Sequence, residues 1–132
     1  KWTAEKEGPE GAGSAYGTQM GGVLYVATGQ GFLCYYDTKT REWSKSKVPN
    51  GTRSPAVGHY KGEVWVMGGR NGLSEKATHI YNPKTKKWRR GPDLPRALCW
   101  GTAFNIAGEM YVTGGFSYDS TFNQRTFRLR GK

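Results

Sequence analysis

The chain has 132 residues, a formal charge of +10, 20 Gly and 14% aromatic residues. That aromatic content opposes a disordered reading, and Gly does not recur at every third place as collagen needs, so the surplus Gly belongs to turns or close backbone contacts in a β-rich fold. No run of about 18 apolar residues offers a membrane-spanning helix, and residues 1–20 lack the apolar core of a signal peptide. Cys34 and Cys99 stand among apolar neighbours without metal-ligand spacing. They read as buried free thiols, which favours a reducing, intracellular compartment.

In chain order, the segment from Trp2 to Pro9 resembles Trp88-Arg-Arg-Gly-Pro92 and reads as an outer strand near residues 2–7. Ser14-Ala-Tyr-Gly17 then precedes the Gly-bounded run Gly22-Val-Leu-Tyr-Val-Ala-Thr-Gly29. Tyr36 and Trp43 follow, seven residues apart, separated by Asp-Thr-Lys-Thr-Arg-Glu, whose polar turn formers predict a hairpin. The series begins again with Pro55-Ala-Val-Gly58, Gly62-Glu-Val-Trp-Val-Met-Gly-Gly69 and the pair Tyr81 and Trp88, again seven apart. A third copy supplies Leu98-Cys-Trp-Gly101, Gly108-Glu-Met-Tyr-Val-Thr-Gly-Gly115 and Arg125-Thr-Phe-Arg-Leu-Arg130. The repeat lengths, 40 and 46 residues, suit one four-stranded propeller blade each.

A Gly-Gly pair, a Tyr about twelve residues on and a Trp seven beyond it resemble the kelch repeat, whose blades assemble as a β-propeller. Gly68, Gly69, Tyr81 and Trp88 match fully; Gly29, Tyr36 and Trp43 form a first copy with Thr28 in place of one Gly; Gly114 and Gly115 open a third with Phe127 at the Tyr place. The resemblance implies an all-β fold, a kelch-type β-propeller segment of about three four-stranded antiparallel blades. Its divisions are an outer strand near 2–7, a blade over 14–47, a blade over 54–90, and three strands of a blade over 97–130. The Gly pair would permit positive φ at a strand end, and the Tyr and Trp would fill the wedge between neighbouring blades. Three blades are too few to close a ring. The chain is therefore expected either to pair with a second copy as half of a six-bladed ring or to find its remaining blades in a longer chain or complex.

His59 and His79 are the only histidines, each in a strand-like context that reads as structural and satisfied. No metal-ligand pair, nucleophile elbow or phosphate loop is present, so no catalytic residue, metal or cofactor is assigned and a non-enzymatic chain is expected. Some kelch-like propellers are copper radical oxidases, but the Tyr and His set they use is not seen here. The resemblance instead implies a partner-binding face, made by loops after the Gly-Gly strand and loops leading into each blade. The matching positions are Arg53, Arg70, Asn71, Arg96, Gln30, Phe116, Ser117 and Tyr118. Arginine gives bidentate contact to carboxylates, so an acidic or polar protein segment is the expected partner.

The positive charge is concentrated elsewhere. Lys39, Arg41, Lys84, Lys86, Lys87, Arg89 and Arg90, with Lys45, Lys47, Arg125, Arg128, Arg130 and Lys132, make thirteen of the twenty basic residues. They lie on or beside the hairpins between third and fourth strands, which predicts a basic rim. Such a rim keeps edge strands from pairing with other sheets, and it could also contact nucleic acid. The expected function is thus a non-catalytic protein-interaction module or scaffold, with a basic propeller segment contacting RNA or a ribonucleoprotein as the alternative.

Overall fold

A computed structural model describes residues 1–9, 15–117 and 121–130; Ser14, Tyr118 and Lys132 lie outside the described residues. In the first repeat, β1 (Tyr16–Met20), β2 (Val23–Ala27), β3 (Phe32–Asp37) and β4 (Glu42–Lys47) form one antiparallel sheet in chain order. The second repeat gives β5 (Ala56–Tyr60) and β6 (Glu63–Met67), then a small hairpin of β7 (Arg70–Asn71) and β8 (Leu73–Ser74), then β9 (Thr78–Asn82) and β10 (Lys87–Gly91). Its sheet runs β5-β6-β9-β10. In the third, β11 (Thr102–Ile106), β12 (Glu109–Thr113) and β15 (Thr126–Arg128) form a three-stranded sheet, with the hairpin of β13 (Phe116–Ser117) and β14 (Thr121–Phe122) between β12 and β15.

The turns follow from their residues. Each first-to-second-strand turn has two left-handed residues, Gly21-Gly22, Lys61-Gly62 and Ala107-Gly108, as the tight hairpin whose twist matches the strands requires. At the other hairpin, Asp37 Oδ1 accepts the backbone N–H of Lys39 at 2.8 Å, and Asn82 Oδ1 accepts that of Lys84 at 2.9 Å. Arg41 and Lys86 then take positive φ, 62° and 59°, and return the chain to β4 and β10.

The apolar interior lies between sheets. Tyr25, Leu33, Val57, Val64, Val66 and Tyr81 fill the space between the first and second blades. Trp65, Met67, Ile80, Leu98, Met110 and Val112 fill that between the second and third. At the first junction Tyr81 is buried, its hydroxyl donating to Tyr35 Oη at 3.1 Å, and Trp88 Nε1 donates to Ser46 Oγ at 2.9 Å. Nearest the axis, a Cβ added to Gly58 would stand 2.7 Å from Met110 Sδ and 3.2 Å from Ala103 Cβ, so the inner strands can approach only without a side chain there.

Three sequence expectations need correction. Residues 2–7 form no strand, because an outer strand needs a third strand to pair with and none lies beside it among the described residues. The segment instead rests on the first blade: Trp43 Nε1 donates to the Lys6 carbonyl at 2.8 Å, Tyr36 Oη donates to Glu5, and Arg41 pairs with Glu5 at 2.8 Å. Those two donors hold the Glu5 carboxyl below its ordinary range, Arg41 contributing most. Gly29 has no left-handed backbone; the first blade makes a short turn over Thr28–Gly31 and places positive φ, 84°, on Gly31. His79 is not satisfied, since its buried Nε2 has no hydrogen-bond partner among the described residues.

Gly69 and Gly62 separate close packing from conformational strain. Both have positive φ, but a Cβ at Gly69 would stand 2.3 Å from Thr52 Oγ1 and 2.6 Å from the Arg53 carbonyl, whereas Gly62 faces open space. Gly62→Ala is expected to cost about 1 kcal/mol and Gly69→Ala about 3 kcal/mol in urea titrations; equal costs would refute the packing argument.

Burial, with the nearby Arg90 charge, holds the His79 pKa below its ordinary 6.5. The unfolded chain therefore takes up this proton at higher pH than the folded one. The group's contribution to stability is whole above about pH 6.5 and declines as pH falls toward the lowered folded value. Thermal melts of His79→Gln are expected to lose less stability between about pH 7 and 5 than those of the parent chain.

Candidate functional site

One end of the stacked sheets is built from the long second-to-third-strand loops and the connections between blades. Gly68 and Gly69 turn the chain out of β6, and Arg70 then pairs with Arg53 through two backbone hydrogen bonds of 2.8 and 2.9 Å. Opposed residues of such a bridge send their side chains to the same side, so the two arginines start from one short stretch of backbone. Thr52 Oγ1 fastens this junction from below by donating to the Gly68 carbonyl at 2.9 Å.

The neighbouring connection supplies apolar surface. Cys99 and Phe116 form a second bridge, with backbone bonds of 2.9 and 2.8 Å, and Trp100 donates its N–H to the Ser54 carbonyl at 2.9 Å. Trp100 takes a left-handed backbone, φ 62°, and lies exposed. Its ring centroid is 5.7 Å from that of Phe116, which in turn is 5.4 Å from Phe122. The Arg70 guanidinium stands 5.9 Å from the Trp100 ring, within range of a cation–π contact. Phe122 is 77% exposed and Leu73, at the tip of the other small hairpin, 74%.

The structure thus brings Arg53, Arg70 and Phe116 together. Asn71 lies beside them, its Nδ2 donating to the Asn50 carbonyl at 2.8 Å, so it also braces the loop. Arg96 is half-buried in the connection that carries Trp100, and Gln30 is exposed on the short first-blade turn, its N–H held by Thr28 Oγ1. Ser117 is a correction: it is buried, because β13 pairs with β14 and turns alternate side chains inward. Tyr118 lies outside the described residues.

Trp100, Phe122 and Leu73 were not singled out by sequence reasoning. Trp100 looks like a strand residue from the repeat alignment, and only its left-handed backbone turns it toward solvent. Phe122 and Leu73 lie in loop segments without a counterpart in the first repeat, where no pattern could weigh them.

At the opposite end, Lys39, Arg41, Lys84, Lys86 and Lys87 crowd the Asx-turn hairpins, with Arg89 and Arg90 on β10, and all seven are exposed. Among the described residues three are engaged: Arg41 by Glu5, Arg89 by Glu63 at 2.6 Å and Arg90 by Asp93 at 2.8 Å.

Four-stranded antiparallel sheets stacked face to face, innermost strands toward one axis, define blades of a β-propeller. A family model of the Kelch motif matches residues 51–95, the stretch that holds the second blade. The chain belongs to the kelch-repeat family. It is 29% identical over 106 residues to Kelch-like protein 33 of Homo sapiens, covering 72% of this chain and 20% of that protein. It is 36% identical over 87 residues to an F-box/kelch-repeat protein of Arabidopsis thaliana, covering 62% and 23%. The solved structure of YjhT aligns with a TM-score of 0.74 at 25% identity, covering 86% of this chain and 37% of that one. The chain spans about a fifth of the length of the curated relatives it matches.

Proposed function

We propose that the chain is a non-catalytic kelch interaction module that captures a protein segment on the face formed by Arg53, Arg70, Trp100, Phe116 and Phe122. The supporting observation is the placement of two arginines, fixed by a shared backbone bridge, beside a run of three aromatic rings. Exposed aromatic area with an adjoining guanidinium suits a partner that combines acidic and apolar side chains, because Arg fixes a carboxylate by its fork while the rings desolvate the neighbouring residue. The non-catalytic reading is supported by the histidines, which sit on blade strands β5 and β9 and not in these loops.

Arg53 and Phe122 are both exposed, so Arg53→Glu with Phe122→Ser should leave the fold unchanged. Against an array of synthetic peptides that each carry two acidic residues beside an aromatic one, the parent chain is expected to retain a subset and the double variant to bind that subset at least about tenfold more weakly. Equal retention by both proteins would refute the face.

A second reading, contact with RNA through the rim, is favoured by Lys39, Lys84, Lys86 and Lys87, which are exposed and have no ion pair among the described residues. Four phosphate contacts on a single strand would weaken binding roughly 50-fold between about 50 and 200 mM salt. Retention of poly(U) that is weak or insensitive to salt, or unchanged in Lys86→Glu with Lys87→Glu, would dismiss this reading.

A further inference from the structure

Asn50 and Asn71 are the two asparagines followed by glycine, in Asn50-Gly51 and Asn71-Gly72. Such a pair is open to attack on the asparagine carboxamide by the next backbone nitrogen, because glycine has no Cβ to block the approach and turns freely about its own bonds. Both pairs have the same local chemistry. Their surroundings differ.

At Asn50 both reacting groups are held. The Gly51 N–H donates to the Val48 carbonyl at 2.8 Å. The Asn50 carboxamide is fixed at each end, Oδ1 accepting the Thr52 N–H at 3.1 Å and Nδ2 donating to Glu75. Moving the Gly51 nitrogen onto Asn50 Cγ therefore disturbs three bonds in a half-buried turn.

At Asn71 one bond stands in the way. Gly72 forms the exposed tip of the β7–β8 hairpin, with φ 86° and open space where a Cβ would be. Its N–H has no hydrogen-bond partner among the described residues. The exposed Asn71 carboxamide makes a single hydrogen bond among those residues, Nδ2 donating to the Asn50 carbonyl at 2.8 Å, and such a surface bond exchanges readily with water. The remaining asparagines are poorer substrates: Pro83 after Asn82 has no N–H, Ile106 after Asn105 is β-branched, and Asn123 is buried and precedes Gln124.

We propose that Asn71 is a site of spontaneous deamidation, and that the reaction releases the β7–β8 hairpin from the connection between the first two blades. The Gly72 nitrogen, its proton lost to solvent hydroxide, attacks Asn71 Cγ; the carboxamide nitrogen leaves as ammonia and a succinimide ring closes. Water then opens the ring at either carbonyl, giving an aspartyl or an isoaspartyl residue. One water is consumed, one ammonia is released and one negative charge is gained, with nothing oxidised or reduced. The brace does not survive this exchange. A carboxylate has no N–H to give the Asn50 carbonyl and sets oxygen against oxygen. The isoaspartyl form also adds a methylene to the backbone and breaks the pairing of position 71 with Leu73. Arg70, whose bridge to Arg53 anchors the loop face, is the adjoining residue, so this face ages from the hairpin inward. The modification stands whether or not that face captures a peptide.

Peptide mapping by mass spectrometry tests it on the folded 132-residue chain aged in mildly alkaline buffer. The expected result is a gain of about one dalton at position 71, in separable aspartyl and isoaspartyl forms, with Asn50 reacting at least about tenfold more slowly. In urea the two pairs should react at similar rates, because only the fold distinguishes them. Gly72→Ala should slow the reaction by blocking the approach, and Asn71→Gln should suppress it independently by demanding a larger ring. Hydrogen exchange at the Glu75 amide, bound to the Gly69 carbonyl, should quicken in the aged parent chain relative to the fresh one, whereas ageing should change nothing in Asn71→Gln. Equal reaction at Asn50 and Asn71 in the folded chain overturns the assignment, as does an Asn71 that stays intact when folded while both sites react in urea. Unchanged Glu75 exchange after full conversion overturns the release of the hairpin.

Discussion

The buried contact between one blade and the next is the interaction on which everything else rests. Tyr81 shows how it works: the ring is enclosed by two sheets, stacks near Trp88, and uses its hydroxyl to reach Tyr35 of the other sheet. A single blade has two faces and no interior of its own, so its apolar residues are covered only when another blade lies on them. Burial together with the bond to Tyr35 pushes the Tyr81 hydroxyl well above its ordinary pKa, so the phenol stays neutral where an anion could not be solvated.

Loops can elaborate because the strands beneath them are constrained. The tight approach at Gly69 fixes the point where the chain leaves the second blade, and the bridge between Arg53 and Arg70 forms within a residue of it. The third repeat reproduces the device: a Cβ at Gly115 would stand 2.9 Å from the Cys99 carbonyl, and Cys99 bridges to Phe116. Repetition of one backbone junction places an arginine pair in one copy and an aromatic run in the next.

The blades were legible in the sequence because strand period, turn residues and the Tyr-to-Trp interval recur, and each recurrence checks the others. Asp37 and Asn82 could be read as turn formers before their Asx bonds were seen. Gly29 misled because its alignment with Gly69 is real in sequence while the loop after it is shorter, and a short turn moves the left-handed residue to Gly31. Residues 2–7 misled in another way: they resemble the segment after Trp88, but strand formation depends on a partner that local sequence does not contain. On the loop face the arginines could be named in advance from their offset to the Gly pair. Trp100, Phe122 and the burial of Ser117 could not, since they depend on the left-handed backbone at Trp100 and on the β13–β14 hairpin, which has no counterpart in the first repeat.

The middle blade is covered on both sides, and β6 shows it most fully. Val64 and Val66 belong to one inter-blade core and Trp65 and Met67 to the other, and all four are buried. The outer blades each have one such face. In a stack with nearest-neighbour cohesion, amide hydrogens of β6 exchange only when both junctions open, while those of β1 and β15 need only one. The middle blade is therefore the thermodynamic keystone, with local opening confined to the flanks.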